Sequence, residues 1–166
     1  MEFPFNDFSD LPISRFESML KTNEIKFFDT SEFEEIGQYY IDAANLSMAK
    51  KAIEVGLNQH PDATELILLL IEYHTLTSSY EEARILVDNL IAVEPLNPYA
   101  FQHLAVIQSK CNEHQEAIVS LKKGLTYADN KYEFHSLLAM EYLYLDAFFM
   151  AKEYFIRCLE EEVTDN

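Results

Sequence analysis

The stretch LSMAKKAIEVGLNQHP, residues 46–61, distributes apolar and polar positions as one face of a helix requires and stops at a proline. Residues 12–22 repeat this on a smaller scale, with Phe16, Met19 and Leu20 at helical spacing. Three glycines and five prolines are the only strong breakers, and no proline lies between Pro12 and Pro61 or after Pro98. Long runs are therefore free for helix. Helix starts are marked by short polar side chains followed three residues later by Glu or Gln: Ser31 with Glu34, Asp62 with Glu65, Ser79 with Glu82, Asn112 with Gln115 and Asn130 with Glu133. Asn97 before Pro98 is a cap followed by proline at the first helical position. Together these signals predict an all-α chain with helices near 12–22, 31–44, 47–59, 62–76, 79–93, 98–110, 113–127, 131–145 and 147–161.

The helical pattern is itself periodic. Ala49, Ala83, Ala117 and Ala151 stand 34 residues apart, and so do Ile36, Leu70, Leu104 and Leu138, then Ile53, Val87, Leu121 and Phe155. Pro61 and Pro95 keep the same step. This order resembles the tetratricopeptide repeat, whose pattern runs W-x2-L-G-x2-Y, then A-x3-F, then P. In the first unit Phe33 takes the tryptophan position, followed by Ile36, Gly37, Tyr40, Ala49, Ile53 and Pro61. The second has Ile67, Leu70, Ile71, His74, Ala83, Val87 and Pro95; the third has Phe101, Leu104, Ala105, Gln108, Ala117 and Leu121, with Asp129 where proline is expected. The fourth has His135, Leu138, Ala139, Tyr142, Ala151 and Phe155, with Val163 at the proline position. The resemblance covers residues 30–163. It implies a right-handed α–α superhelix of four helix-turn-helix repeats, 30–63, 64–97, 98–131 and 132–166, behind an N-terminal segment 1–29 that carries a capping helix.

A glycine inside a helix costs roughly 0.5–1 kcal/mol relative to alanine, and Gly56 and Gly124 both sit there, each seven residues after a periodic alanine. The resemblance places them, with Gly37, at small positions where two helices cross most closely, together with the alanines at 49, 83, 105, 117, 139 and 151. Leu90 and Cys158 fill the glycine column elsewhere, and a wider crossing is expected at Leu90.

Composition narrows the function. A formal net charge of −17 and a pI near 4.5 argue against phosphate backbones and anionic membranes, which need clustered Lys and Arg, and favour cationic partners. The ten Tyr and twelve Phe are read as core rather than as base-stacking platforms. The apolar run LILLLI at 66–71 is too short to span a bilayer, and the first residues lack the form of a secretory signal, so a soluble cytoplasmic protein is expected. Cys111 and Cys158 have no metal-like spacing and are expected as free thiols; the five histidines form no HExxH or similar pair. No phosphate loop or nucleophile elbow is present, and adjacent acids such as Glu34/Glu35, Glu81/Glu82 and Glu160/Glu161/Glu162 do not face one point on a helix. No catalytic set, cofactor or metal is expected.

The resemblance implies a concave groove lined from the first helix of each repeat. Carried onto this chain, its positions are Ser31, Glu34, Gln38 and Ile41; Glu65, Leu68, Glu72 and Thr75; Tyr99, Gln102, Val106 and Ser109; and Glu133, Ser136, Met140 and Leu143. Family members that clamp an acidic peptide C-terminus use Lys and Asn where Glu34 and Gln38 stand, so a basic and apolar peptide or protein segment is the expected ligand. The expected function is a non-enzymatic interaction scaffold. Two alternatives remain open: a self-assembly module, and the regulatory repeat region of a longer signalling or enzymatic protein. The chain also looks like the N-terminal part of longer bacterial tetratricopeptide proteins. Its last helix carries Phe148, Phe149, Tyr154, Phe155 and Leu159 with no polar helix after it, so either further chain or a homodimeric partner is expected to cover that face.

Overall fold

The computed structural model describes residues 11–164, with side chains through 161, and contains nine α-helices and no strand among them. They are α1 (Pro12–Thr22), α2 (Thr30–Asp42), α3 (Leu46–Gln59), α4 (Thr64–Leu76), α5 (Tyr80–Val93), α6 (Pro98–Lys110), α7 (His114–Leu125), α8 (Tyr132–Tyr144) and α9 (Phe148–Thr164). Most boundaries fall within two residues of those the sequence predicts. The contacts cluster into two compact units, 1–73 and 74–166, divided within α4. Val163, at the fourth proline position, lies outside the residues whose side chains are described.

Four of the turns are one device used again. α2–α3, α4–α5, α6–α7 and α8–α9 are each joined by three residues whose middle member, Ala44, Ser78, Asn112 or Asp146, is left-handed at φ 54°, 60°, 62° and 56°. The next N–H, of Asn45, Ser79, Glu113 or Ala147, donates to the carbonyl of Tyr40, His74, Gln108 or Tyr142 at 2.8–2.9 Å. This is the six-to-one closure of a Schellman turn, which satisfies a carbonyl that the helix end leaves open. Asn112 therefore ends α6 rather than capping α7.

The first unit is built on aromatics. Phe16 of α1 is fully buried, with its ring edge-on to Phe28 and Phe33 at 6.2 and 6.4 Å, so α1 covers the apolar face of α2. Arg15 pairs with Glu32 and lies over the Phe28 ring at 4.7 Å. The Tyr40 hydroxyl donates to Glu17 Oε1 at 3.1 Å; burial first, and that carboxylate second, push the phenol up to about 12. The extended chain before α2 is held by the end of α3, where Gln59 Nε2 donates to the Lys26 carbonyl at 2.9 Å and Gln59 Oε1 accepts from Phe28 N–H at 3.1 Å. His60 Nε2 sits 2.8 Å from the Phe28 carbonyl and so carries the ring proton.

α2 starts one residue earlier than the Ser31–Glu34 signal implies. Asp29 is the cap, accepting from Glu32 N–H at 2.8 Å while Glu32 Oε2 accepts from Asp29 N–H at 3.0 Å. Those bonds to the charged form hold the Asp29 carboxyl below its ordinary range. Asn45 caps α3 through Met48 N–H, and Asn97 caps α6 through Tyr99 and Ala100 N–H, with Pro98 at the first position. Ser79, in contrast, makes no side-chain cap.

The glycines explain themselves by distance. A Cβ on Gly56 of α3 would lie 2.9 Å from Leu66 Cδ1 and 3.0 Å from Phe33 Cγ. On Gly37 of α2 it would meet Leu69 Cδ1 at 2.9 Å, and on Gly124 of α7 it would meet Phe134 Cε1 at 2.5 Å, Phe101 Cβ at 3.0 Å and the Pro98 carbonyl at 3.1 Å. The alanines at 49, 83, 105, 117, 139 and 151 are all buried, as are Leu90 and Cys158. In the second unit Ala105, Ala117 and Ala139 close a core with Ile118, Leu121, Phe134, Leu138 and Tyr154.

Candidate functional site

The groove positions divide between the two units. In the first, Gln38 on α2 and Glu72 on α4 come together with Asp42, which the sequence reading did not single out. Gln38 Nε2 donates to Asp42 Oδ1 at 3.0 Å. The Glu72 carboxyl is held above its ordinary range, first by burial and then by the charge of Asp42, while the Gln38 amide works in the opposite direction. A half-buried acid, Glu72, and an exposed one, Asp42, thus share a patch with one neutral amide between them. Glu34 and Glu65 are exposed, and Leu68 is half-buried. Ile41 is buried in the core of this unit and cannot line a groove.

In the second unit Val106 of α6 and Met140 of α8 line a cleft of about 220 Å³. Ala105, Ser109, Lys110, Leu121, Leu137, Glu141 and Tyr144 complete it. Gln102 Nε2 bridges α6 to α8 by donating to Glu133 Oε2 at 3.0 Å, while its Oε1 is buried with no hydrogen bond among the described residues. Tyr99 belongs to a smaller pocket of about 190 Å³ with Pro98, Tyr127 and Asn130. Ser136 is half-buried and Leu143 is 37% exposed; neither lines the cleft.

The lining of the cleft includes a buried acid that the groove pattern missed. The Glu141 side chain is 5% exposed, and its Oε2 accepts from His114 Nδ1 at 2.8 Å. His114, the first residue of α7, stacks on Tyr144 with ring centroids 4.7 Å apart and planes 18° apart. One signal could have found this pair. At 34-residue steps the His114 column otherwise holds Leu46, Tyr80 and Phe148, and the Glu141 column holds Tyr39, Tyr73 and Ile107. A hydrogen-bonded histidine and glutamate stand where the other repeats hold apolar or aromatic side chains.

The remaining histidines of this unit are packed as parts of the fold. Burial pushes His103 down to about 4, so it is neutral near pH 7. His135 is also pushed down by burial, against the opposing pull of Glu161; its Nδ1 lies 3.2 Å from Glu161 Oε1 but off the line of a hydrogen bond. Among the described residues no group of three His, Cys, Asp or Glu side chains is placed to hold a metal, and Cys111 and Cys158 form no disulfide. No helix among them is long and apolar enough to cross a membrane.

Comparison with known proteins gives the class through the fold. A thermophilic TPR protein of Thermus thermophilus, TTC0263, superposes with a TM-score of 0.76 at 19% identity, over 90% of this chain and 80% of that one. MamA from Desulfovibrio magneticus RS-1 superposes at 0.65 with 15% identity, over 83% and 78% of the two chains, and MamA of AMB-1 at 0.65 with 20% identity, over 95% and 99%. The fold is the tetratricopeptide type of helical repeat. No family model matches the sequence, and no curated protein matches it.

Proposed function

We propose that the chain is a non-enzymatic interaction module whose first-helix faces hold a protein segment rich in basic and apolar side chains. The observation that carries this reading is the Gln38–Asp42–Glu72 patch. Burial and a neighbouring acid both penalise the Glu72 charge, and the positive charge of a partner's Lys or Arg offsets that penalty. The net charge of −17 steers cations toward such faces and repels acidic peptides. Binding to an immobilised array that presents basic–apolar and acidic, carboxyl-terminal peptides tests it. Basic–apolar peptides should be retained, and Asp42→Asn with Glu72→Gln should weaken them. Retention of acidic carboxyl-terminal peptides alone overturns the reading.

A second reading, self-association, is favoured by α9. Ala151, Tyr154 and Cys158 bury one face of this helix, while Phe148, Phe149, Phe155, Ile156 and Leu159 remain 39–80% exposed on another. A second copy of the chain is the occupant we assign to that face.

A further inference from the structure

We infer that the cleft between α6 and α8 receives one arginine side chain of the bound segment, with Glu141 as its counter-ion. This rests on the groove reading above and assigns a specificity pocket to the second unit alone. Several independent features of the second unit converge on it.

The first is the cost of what is already there. Glu141 and His114 stand in columns whose other members are apolar or aromatic, from the fully buried Ile107 to the exposed Tyr39 and Phe148, so the repeat itself does not call for a carboxylate there. A buried carboxylate held by one imidazole is commonly no better for stability in such a place than hydrophobic residues of similar volume. Its presence in the lining of a cleft therefore needs a reason beyond the fold.

The second is incomplete pairing. Glu141 Oε2 is taken by His114, whereas Oε1 has no hydrogen-bond partner among the described residues, although the side chain is only 5% exposed and lines the cleft. A carboxylate with one oxygen engaged, on a residue that lines a cavity, has an acceptor left for a charge-assisted donor. Lys110 does not supply one: it is exposed at the cleft edge and forms no ion pair within 4.0 Å among the described residues. Its charge is screened by solvent, while that of the buried Glu141 is not.

The third is shape. At about 220 Å³ the cleft falls below the roughly 300–1,000 Å³ of small-molecule sites, and it suits a single long side chain. Val106, Leu137 and Met140 offer apolar walls for a methylene stem. Tyr144 offers an aromatic wall, 59% exposed and braced by His114. Planar stacking on an aromatic ring combined with paired donors to a carboxylate is the chemistry of guanidinium rather than ammonium. His114 acts as a positioning residue that fixes both Glu141 and Tyr144.

The test uses the full chain and two probes, acetyl-Leu-Arg-Leu-amide and its citrulline counterpart, which keeps the shape and removes the charge. Binding is followed by NMR at the Met140 methyl and the Ser109 and Tyr144 amides, beside a basic–apolar peptide retained by the array. The arginine probe should shift these signals at a concentration at least about tenfold below that needed for citrulline, the ratio expected of one charge-assisted contact. Glu141→Gln keeps an acceptor for His114 and should bring the two probes together; Met140→Arg, at an exposed wall, should block both. Equal binding of the two probes, or an equal loss of both in Glu141→Gln, overturns the assignment. If the array peptide binds wild type and Glu141→Gln alike, the cleft assignment fails while the groove reading stands. If no basic–apolar peptide binds the chain, it is the groove reading that fails.

Discussion

Ala44 occupies a backbone position that alanine dislikes. Its left-handed φ of 54° recurs, at 60°, 62° and 56°, in Ser78, Asn112 and Asp146 at 34-residue steps, and asparagine and aspartate tolerate this region better because their side chains bond locally. Glycine tolerates it best. Ala44→Gly removes a Cβ penalty of about 1–2 kcal/mol and loses up to about 1 kcal/mol to the greater freedom of the unfolded chain. The expected net gain is about 0.5 kcal/mol, read as a higher urea midpoint. The glycines predict the reverse. Gly124→Ala presses a Cβ into the buried Phe134 ring and the Pro98 carbonyl, neither of which can swing away, and should cost about 2 kcal/mol or more. Gly37→Ala meets only the tip of Leu69, so the gain in helix propensity of roughly 1 kcal/mol should leave it near neutral. Urea midpoints of the two variants test the order; equal losses would show that close approach is not what selects these glycines.

At the scale of elements, the α7–α8 pairing carries its own prediction. His114→Leu leaves the buried Glu141 carboxylate without a described partner and should destabilise by roughly 3 kcal/mol. Adding Glu141→Leu should recover that loss or more, because the pair then resembles its apolar counterparts one repeat away. A double variant as unstable as the single one would show that the pair is needed for folding. The same pair marks the limit of what the sequence told. Helix positions were legible because apolar spacing and the 34-residue step agree, as at Gly56, with the cap at Asn97 in phase with them. The start of α2 was misplaced because DTSEFEE contains two overlapping cap spacings, and once Asp29 takes the role Ser31 already lies in the first turn, its hydroxyl donating to Asp29 Oδ1 at 2.8 Å. The left-handed turns were hidden because none uses glycine. Groove positions carried from a repeat pattern give a helix face but not its depth, so Ile41 was placed on a surface where it is core, and Glu141 was passed over because its column is apolar elsewhere.

For the whole molecule, charge and the α9 stripe oppose each other. Phe148, Phe149, Phe155, Ile156 and Leu159 expose an apolar surface that gains by burial, yet each copy carries a net charge of −17 and repels its twin over a distance set by ionic strength. Salt should therefore decide the balance. The Debye length falls from about 30 Å near 0.01 M to about 3 Å near 1 M, shortening the reach of the repulsion while leaving apolar contact intact. Sedimentation should show the chain shifting from monomer toward dimer as salt rises at fixed protein concentration. Phe149→Glu, at a position already 80% exposed, should hold it monomeric at every salt concentration without lowering its thermal midpoint. Association that weakens with salt would assign the contact to charged groups instead, and a strict monomer in high salt would leave α9 without a second copy as its occupant.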